Sequence, residues 1–415
     1  MPDHDVLVVG AGLAGLGCAL ALDSAGVRPL LLEAGDGVGG RVRTDAHEGF
    51  LLDRGFQVLL EAYPECRRVL DYQALELCPF YPGAEIWTGR GFARIADPFR
   101  RPRDAMATLR ASVGTVPDKL RITRLRKEVL EGTPESVLRG PDRTTQEDLE
   151  AMGFTPGMIQ GFFRPFFGGV LLDRSLKDSS RIFRYIFRMF SEDEISVPRR
   201  GMGEIPTQLA ERLPPGAVRL GARVASVAPG RAVLDTGEEL EAEAVVVAVE
   251  GPEAVRLLPS LDEPSSKAAT CLYFDAPESP VDGPLLVLDG EGLGPVNNLA
   301  VLSQVSPDYA PPGRHLVSLA CLGDEGGEEE LRNAALGQME GWFGSEVREW
   351  KHLRSYRIPH AQPAQRPGAL EPPEREVEME PGLFVCGDHR ETASLQGALH
   401  SGRRAAEGVL ASTSG

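Results

Sequence analysis

What this chain lacks narrows its chemistry. Its six cysteines, Cys18, Cys66, Cys78, Cys271, Cys321 and Cys386, form no Cys-x-x-Cys pair and no metal-ligand spacing. A disulfide framework, a redox dithiol and a metal site are therefore not expected, and several of the thiols lie in apolar runs as core residues. A reducing, cytoplasmic setting fits. The seven histidines are scattered, and no pairing of nucleophile and base is evident. No apolar run approaches the length of a membrane-spanning helix. No leader segment is expected either, because an apolar strand begins at Asp5. Lysine is scarce and arginine common, which is a habit of composition rather than a mechanism. The net charge of -17 argues against a nucleic-acid partner, whose phosphates would repel it.

The 415 residues suffice for two or three domains. The chain opens as strand, tight turn, helix, strand. "DVLVVG" is a continuous apolar run of the kind buried parallel strands show. "AGLAGLGCALALDSAG" predicts a helix stopped by Gly26, and "VRPLLLEA" the second strand of a βαβ unit. Farther on, "VRLGARVASVAPGRAVLDTGEELEAEAVVVAVEGP" has short alternating runs around turns at Pro229-Gly230 and Asp235-Thr236-Gly237. That pattern predicts a β-meander, followed by a buried strand at 245–249. "GLFVCGD" predicts one more strand, and Thr392 to Leu410 a helix. Residues 98–199 are Arg-rich and helical in pattern, broken by "RPFFGGVLLDRS". In 265–355, "TCLYFDAP" and "GRHLVSLACL" predict strands. The fold class expected is α/β: a Rossmann-like dinucleotide domain of parallel sheet plus β-meander from residues 1–58, 200–262 and 357–415, and a second, α+β substrate domain with a helical cap from 59–199 and 263–356.

Gly10, Gly12 and Gly15 form Gly-x-Gly-x-x-Gly between a strand and a helix. With Glu33 at the end of the second strand, the pattern predicts a dinucleotide site. Gly10 permits the turn, Gly12 lets backbone approach a pyrophosphate, and Gly15 lets helix and strand pack closely. The helix N-terminus offers free N–H groups to phosphate. Glu33 would accept from the ribose hydroxyls, and a 2′-phosphate would clash with it. Directly afterwards "GDGVGGRVRT" places Gly39, Gly40 and Arg41.

At this point the chain resembles the flavin-dependent amine oxidase superfamily, which includes protoporphyrinogen oxidases and phytoene desaturases. The shared opening is the glycine fingerprint, a Glu-Ala pair and Gly-Gly-Arg. The resemblance implies non-covalent FAD held by Gly10, Gly12, Gly15, Glu33, Ala34, Gly40 and Arg41. Near the C-terminus "FVCGDHRETASLQGALHSGRRAA" matches the family's last strand and helix. It implies that Gly387 and Asp388 meet the ribityl and phosphate portion, and that the helix around Gln396, Gly397 and Ala398 presents N–H groups to the flavin O2/N1 edge. Val224, in "GARVASV", matches the strand that contacts adenine.

The substrate is not fixed by family. Amine oxidases proper carry a cage Tyr just before the Gly-Ala pair. Here the neighbourhood is Ser394, Leu395 and Gln396. They also carry a strand Lys near the flavin, and Lys267 is expected to lie before the corresponding strand. "GFQVL" instead resembles the desaturase and isomerase branch and would bring Phe56 and Gln57 near the ring system. Seven of the sixteen Phe fall between 162 and 190. Phe162, Phe163, Phe166, Phe167 and Phe187 among them are expected to line an apolar pocket, with ordinary core as the other reading of each ring. Gln57 and His360 are weak candidates for catalysis, and His389 for acid–base chemistry or a structural role. Residues 90–127 hold eleven Arg or Lys against three Asp or Glu. They form either a solvated helical surface or a site of peripheral docking on an anionic bilayer at the inner face of the membrane. The reaction expected is hydride transfer from a C–H bond of an apolar, polyisoprenoid or tetrapyrrole-like small molecule to flavin N5. An amine or amino-acid oxidase, a redox-neutral flavin isomerase and a flavoprotein without turnover remain alternatives.

Overall fold

Val6–Val9, Pro29–Leu32 and Ala244–Val247 have every residue buried, and the reason is their place in a sheet covered on both faces. The computed structural model describes residues 4–262 and 265–413. Its six-stranded sheet runs in the order Val218–Arg219, Pro29–Leu32, Val6–Val9, Ala244–Val247, Leu383–Val385, Glu378–Glu380. The first five are parallel and the last is antiparallel. Strand alternation divides the side chains between two cores. Val6, Val8, Leu31, Val246 and Phe384 pack with residues of the helices Leu13–Ser24 and Leu395–Thr413. Leu7, Val9, Leu32, Val245 and Val247 pack with a three-stranded antiparallel sheet of Val224–Ala228, Arg231–Leu234 and Glu239–Glu241. This is the expected Rossmann-like layer with its meander.

A seven-stranded sheet forms the second layer system. Its order is Lys351–Pro363, Ser266–Ala276, His315–Leu322, Val296–Val301, Leu286–Asp289, Gly83–Trp87, Phe92–Ala96. All neighbours are antiparallel except Leu286–Asp289 with Gly83–Trp87. One face packs Leu272, Phe274, Leu299 and Leu319 against Ala335, Met339 and Trp342 of the helix Glu328–Phe343. Cys271, Tyr273, Leu288 and Ala300, on the other face, join the core that includes the helix Ser180–Glu192.

Several boundaries differ from the sequence reading. The break expected at "RPFFGGVLLDRS" begins only at Leu171, because Arg164–Val170 is helical with Pro165 in its first turn, where a missing N–H costs nothing. The C-terminal helix begins at Leu395 rather than Thr392. Ser394 stops it there by capping: its Oγ accepts from Gly397 N–H at 3.0 Å. Lys267 lies inside the strand Ser266–Ala276, whose pairing extends back to Ser266 opposite Pro363. The strand Lys351–Pro363 also carries residues 357–363 into the seven-stranded sheet, beyond the division placed at 356/357. The division placed at 262/263 falls at Glu263 and Pro264, outside the described residues.

Candidate functional site

The two glycine turns lie side by side. Gly39 N–H donates to Ala11 O at 2.8 Å, and Gly12 bridges Gly39. A Cβ on Gly15 would stand 2.0 Å from Gly10 O, so that glycine is there for helix–strand contact and not for ligand. A Cβ on Gly12 would meet nothing within 4 Å, because Gly12 borders open space. Glu33 is fixed beside it: Oε2 accepts from Ala11 N–H at 2.9 Å and Oε1 from Gly35 N–H at 2.7 Å. Each oxygen retains accepting capacity toward the space beyond.

That space is a cavity of about 660 Å³, within the size range of a small-molecule site. At one end Gly10, Gly12, Glu33, Ala34, Gly40, Arg41, Val224, Gly387, Asp388 and Ala398 line it. These residues come from sequence positions up to 388 apart, and the parallel sheet gathers them at the C-terminal ends of its strands. Arg41 Nη2 meets Asp388 Oδ1 at 2.7 Å, and Arg41 Nη1 donates to Ala361 O at 3.0 Å. Burial works against the Arg41 charge, but the attraction and hydrogen bond of Asp388 outweigh it and hold the guanidinium above its ordinary pKa.

Three residues of the expected set stand off this wall. Gly15 is one, for the packing reason above. Gln396 turns its Oε1 to Glu65 N–H at 2.7 Å, tying its helix to the helix Pro64–Val69. Gly397 has its N–H engaged by Ser394, and Ala398 N–H donates to Ser394 O at 3.0 Å. The Leu395 and Gln396 N–H groups instead have no backbone or side-chain acceptor among the described residues.

The other end of the cavity is apolar. Phe56, Val58, Leu60, Ile186, Leu286 and Leu288 are among its wall residues, with Gln57 beside Phe56. The 54–57 segment is held by buried Asp53, which accepts from Tyr309 OH at 2.8 Å and Met202 N–H at 2.9 Å. Burial pushes the Asp53 carboxyl up to about 6, against those bonds. Gln57 Nε2 donates to Arg41 O at 2.8 Å, and Gln362 Nε2 to Ala393 O at 2.9 Å. Both leave a buried Oε1 without a partner in the cavity wall. Of the Phe-rich segment, Phe166 lines the cavity, as does Phe190, which the sequence did not single out for it. Phe162, Phe163, Phe167 and Phe187 are not wall residues. Phe163 and Phe167 are fully buried, Phe162 stacks on Phe166 at 5.5 Å, and Phe187 stacks on Phe167 at 6.4 Å. They are a ring cluster behind the wall.

His360 also stands off the cavity. It sits where residues 359–361 of one strand bulge opposite residue 268 of the next, while Ile358, Ala361 and Gln362 reach the wall. His389 is buried with neither ring nitrogen bonded, and burial lowers its pKa to about 4. Lys267 Nζ pairs with Asp178 and donates to Leu171 O at 2.5 Å; it is absent from the cavity wall. Ser394, at the place of the cage Tyr, lines the cavity, as do Tyr63, Thr270, Asn298 and Gln362, which were missed from sequence. Asn298, one of an Asn-Asn pair in the otherwise apolar strand Val296–Val301, was the one readable signal among them.

An L-amino-acid oxidase of Bungarus fasciatus is 45% identical over 82 residues, 19% of this chain and 16% of that protein. Protoporphyrinogen oxidase 2 of Arabidopsis thaliana is 32% identical over 117 residues, 28% of this chain and 23% of that protein. The chain thus aligns with less than a quarter of the length of either relative. An oxidoreductase structure from Methanosarcina mazei superposes with a TM-score of 0.75 at 17% identity, covering 97% of this chain and all of that one, which is a likeness of fold. The match to the family described as flavin containing amine oxidoreductase spans residues 13–410, nearly the whole length, and the chain belongs to that family.

Proposed function

We propose that the protein is an oxidoreductase that holds FAD non-covalently and acts on a C–H bond of an apolar, polyisoprenoid or tetrapyrrole-like substrate. The observation that carries this reading is the cavity that joins the glycine turns to a wall of Phe56, Phe166, Ile186, Phe190, Leu286 and Leu288.

The residues present fit a flavin dinucleotide. Gly12 and Gly40 leave room for a pyrophosphate at the N-terminus of the Leu13–Ser24 helix, where the dipole favours phosphate. Glu33 would take the ribose hydroxyls, Val224 would flank adenine, and Ala34 and Gly387 would complete the cradle. Asp388 fixes the Arg41 guanidinium that would face the phosphates. The unpartnered Gln57 Oε1 and Gln362 Oε1 supply acceptors, and the Leu395 and Gln396 N–H groups supply donors at a helix N-terminus. When bound, flavin supplies the acceptor for a hydride from a substrate C–H bond.

The wall argues for what that substrate is. Arg54, two positions before Phe56 and on the cavity wall, is engaged by Asp45 at 3.0 Å. A protonated amine or a carboxylate entering here would lose its hydration without a charged partner, at a cost of several kcal/mol. An apolar substrate gains about 0.8 kcal/mol for each CH₂ it buries. Cys271 and Cys321 reach the cavity, but burial pushes their thiols up to about 11 and about 12. As protonated thiols they are poor nucleophiles, which supports non-covalent attachment. Organic extraction of the purified yellow protein followed by mass spectrometry tests the reading. An apolar polyene or macrocycle should be recovered, and recovery of an amine or amino acid alone would count against it.

A further inference from the structure

Eight large apolar side chains are well exposed among the described residues, and six of them fall between Phe92 and Leu120. That is the stretch where basic residues outnumber acidic ones eleven to three (residues 90–127) in a chain of net charge -17. The sequence shows the charge, but only the structure shows which apolar residues face outward with it.

The helices Ala105–Arg110 and Val116–Leu130 form a hairpin. Lys119 Nζ closes its end by donating to Leu109 O at 3.0 Å and Ala111 O at 2.8 Å. Met106 and Leu109 lie on the outer face of the first helix, and Val116 and Leu120 one turn apart on the second. Leu120 is 64% and Met106 56% exposed, whereas Leu125 and Val129 face the core. Phe99 joins them from the adjoining loop, with the Arg126 guanidinium 4.7 Å over its ring. Arg103, Arg110 and Lys127 have no ion-pair partner among the described residues. The apolar groups protrude from the rim of a hairpin, with unpaired cations around them.

We propose that this hairpin is a docking surface for an anionic lipid bilayer, with Met106, Leu109, Val116 and Leu120 entering the interface and Arg103, Arg110 and Lys127 meeting the headgroups. Charge complementarity selects the occupant, and protruding apolar side chains with flanking cations suit a soft interface. The proposal does not depend on the substrate reading, since its test needs no turnover.

The test is co-sedimentation of the holoprotein with vesicles of phosphatidylcholine, with and without about 30% phosphatidylserine. The wild type should bind the serine-containing vesicles at least tenfold more tightly, and less so as salt rises. The variant M106S/L109S/L120S should lose at least tenfold even at low salt, while R103E/R110E should lose the preference for anionic lipid. All five positions are outside the core, and unchanged flavin absorbance and circular dichroism would verify the fold. Absence of vesicle binding, equal binding to both compositions, or an M106S/L109S/L120S variant that binds like wild type would overturn the proposal. So would a wild-type dimer in sedimentation that the same variant dissociates, without vesicle binding, because the patch would then be covered by a second copy.

Discussion

Replacing Lys267 by Met separates two views of this protein. In a cavity built for amines, a lysine of this strand would stand beside the flavin and its loss would slow chemistry. Here the ammonium is enclosed by Asp178, whose side chain is 1% exposed, and by Leu171 O. Burial lowers the Lys267 pKa, and Asp178 opposes that shift. Asp178 would be left with Gln365 N–H at 3.2 Å and Arg366 at 4.0 Å. Removing one partner of a buried ion pair costs about 3–5 kcal/mol. Lys267→Met should therefore lower unfolding free energy in urea by roughly that amount. Exchanging both partners, as in K267M/D178L, should recover much of the loss, since apolar replacement of a whole buried pair is often nearly neutral. The flavin reduction rate should change less than threefold in either variant. A rate lowered a hundredfold with stability intact would refute the structural role assigned to this pair.

Other outcomes follow from the same geometry. Glu33→Ala should weaken FAD binding about ten- to a hundredfold, from the loss of roughly 1–3 kcal/mol of charged hydrogen bonding, and Gly12→Val should do worse by filling the open space; fluorescence titration of the apoprotein measures both. Acid precipitation should release the flavin into the supernatant, and the Cys271 and Cys321 thiols should resist alkylation until the protein is denatured. Burial holds the His389 imidazole at about 4 in the folded protein against about 6.5 when unfolded, so the unfolded chain binds the extra proton between those values and stability falls as pH drops from about 6.5 to about 4. The full shift corresponds to about 3 kcal/mol, of which about 2 kcal/mol falls between pH 7 and pH 4.5, and a His389→Phe variant should lose about that much of the acid dependence in urea titrations at those two pH values.

How far the sequence could be read depended on what each segment packs against. The βαβ opening was legible because strands covered on both faces read as unbroken apolar runs, and a glycine turn has few alternatives to a phosphate cradle. The meander was legible from its turns at Pro229-Gly230 and 235–237. The apolar half of the cavity was not. Tyr63, Thr270, Asn298 and Gln362 come from four separate segments, and periodicity tells which face is buried but not whether that face borders space or another ring. Phe163 and Phe167 show the difficulty: their spacing is as apolar as that of Phe166 and Phe190, yet they pack on neighbours while the latter two reach the cavity. Lys267 was misplaced for a related reason, since a strand end set by pairing with Pro363 carries no local signal.

The central claim is that the cavity delivers an apolar C–H bond, and not an amine, to a flavin. Anaerobic stopped-flow mixing of the holoprotein with a panel of polyenes, porphyrinogens, primary amines, polyamines and amino acids tests it most directly, with flavin absorbance as the readout. The account predicts rapid bleaching by at least one polyene or macrocycle and none by benzylamine, putrescine or amino acids. Rapid bleaching by a simple amine, with the apolar compounds inert, would contradict it.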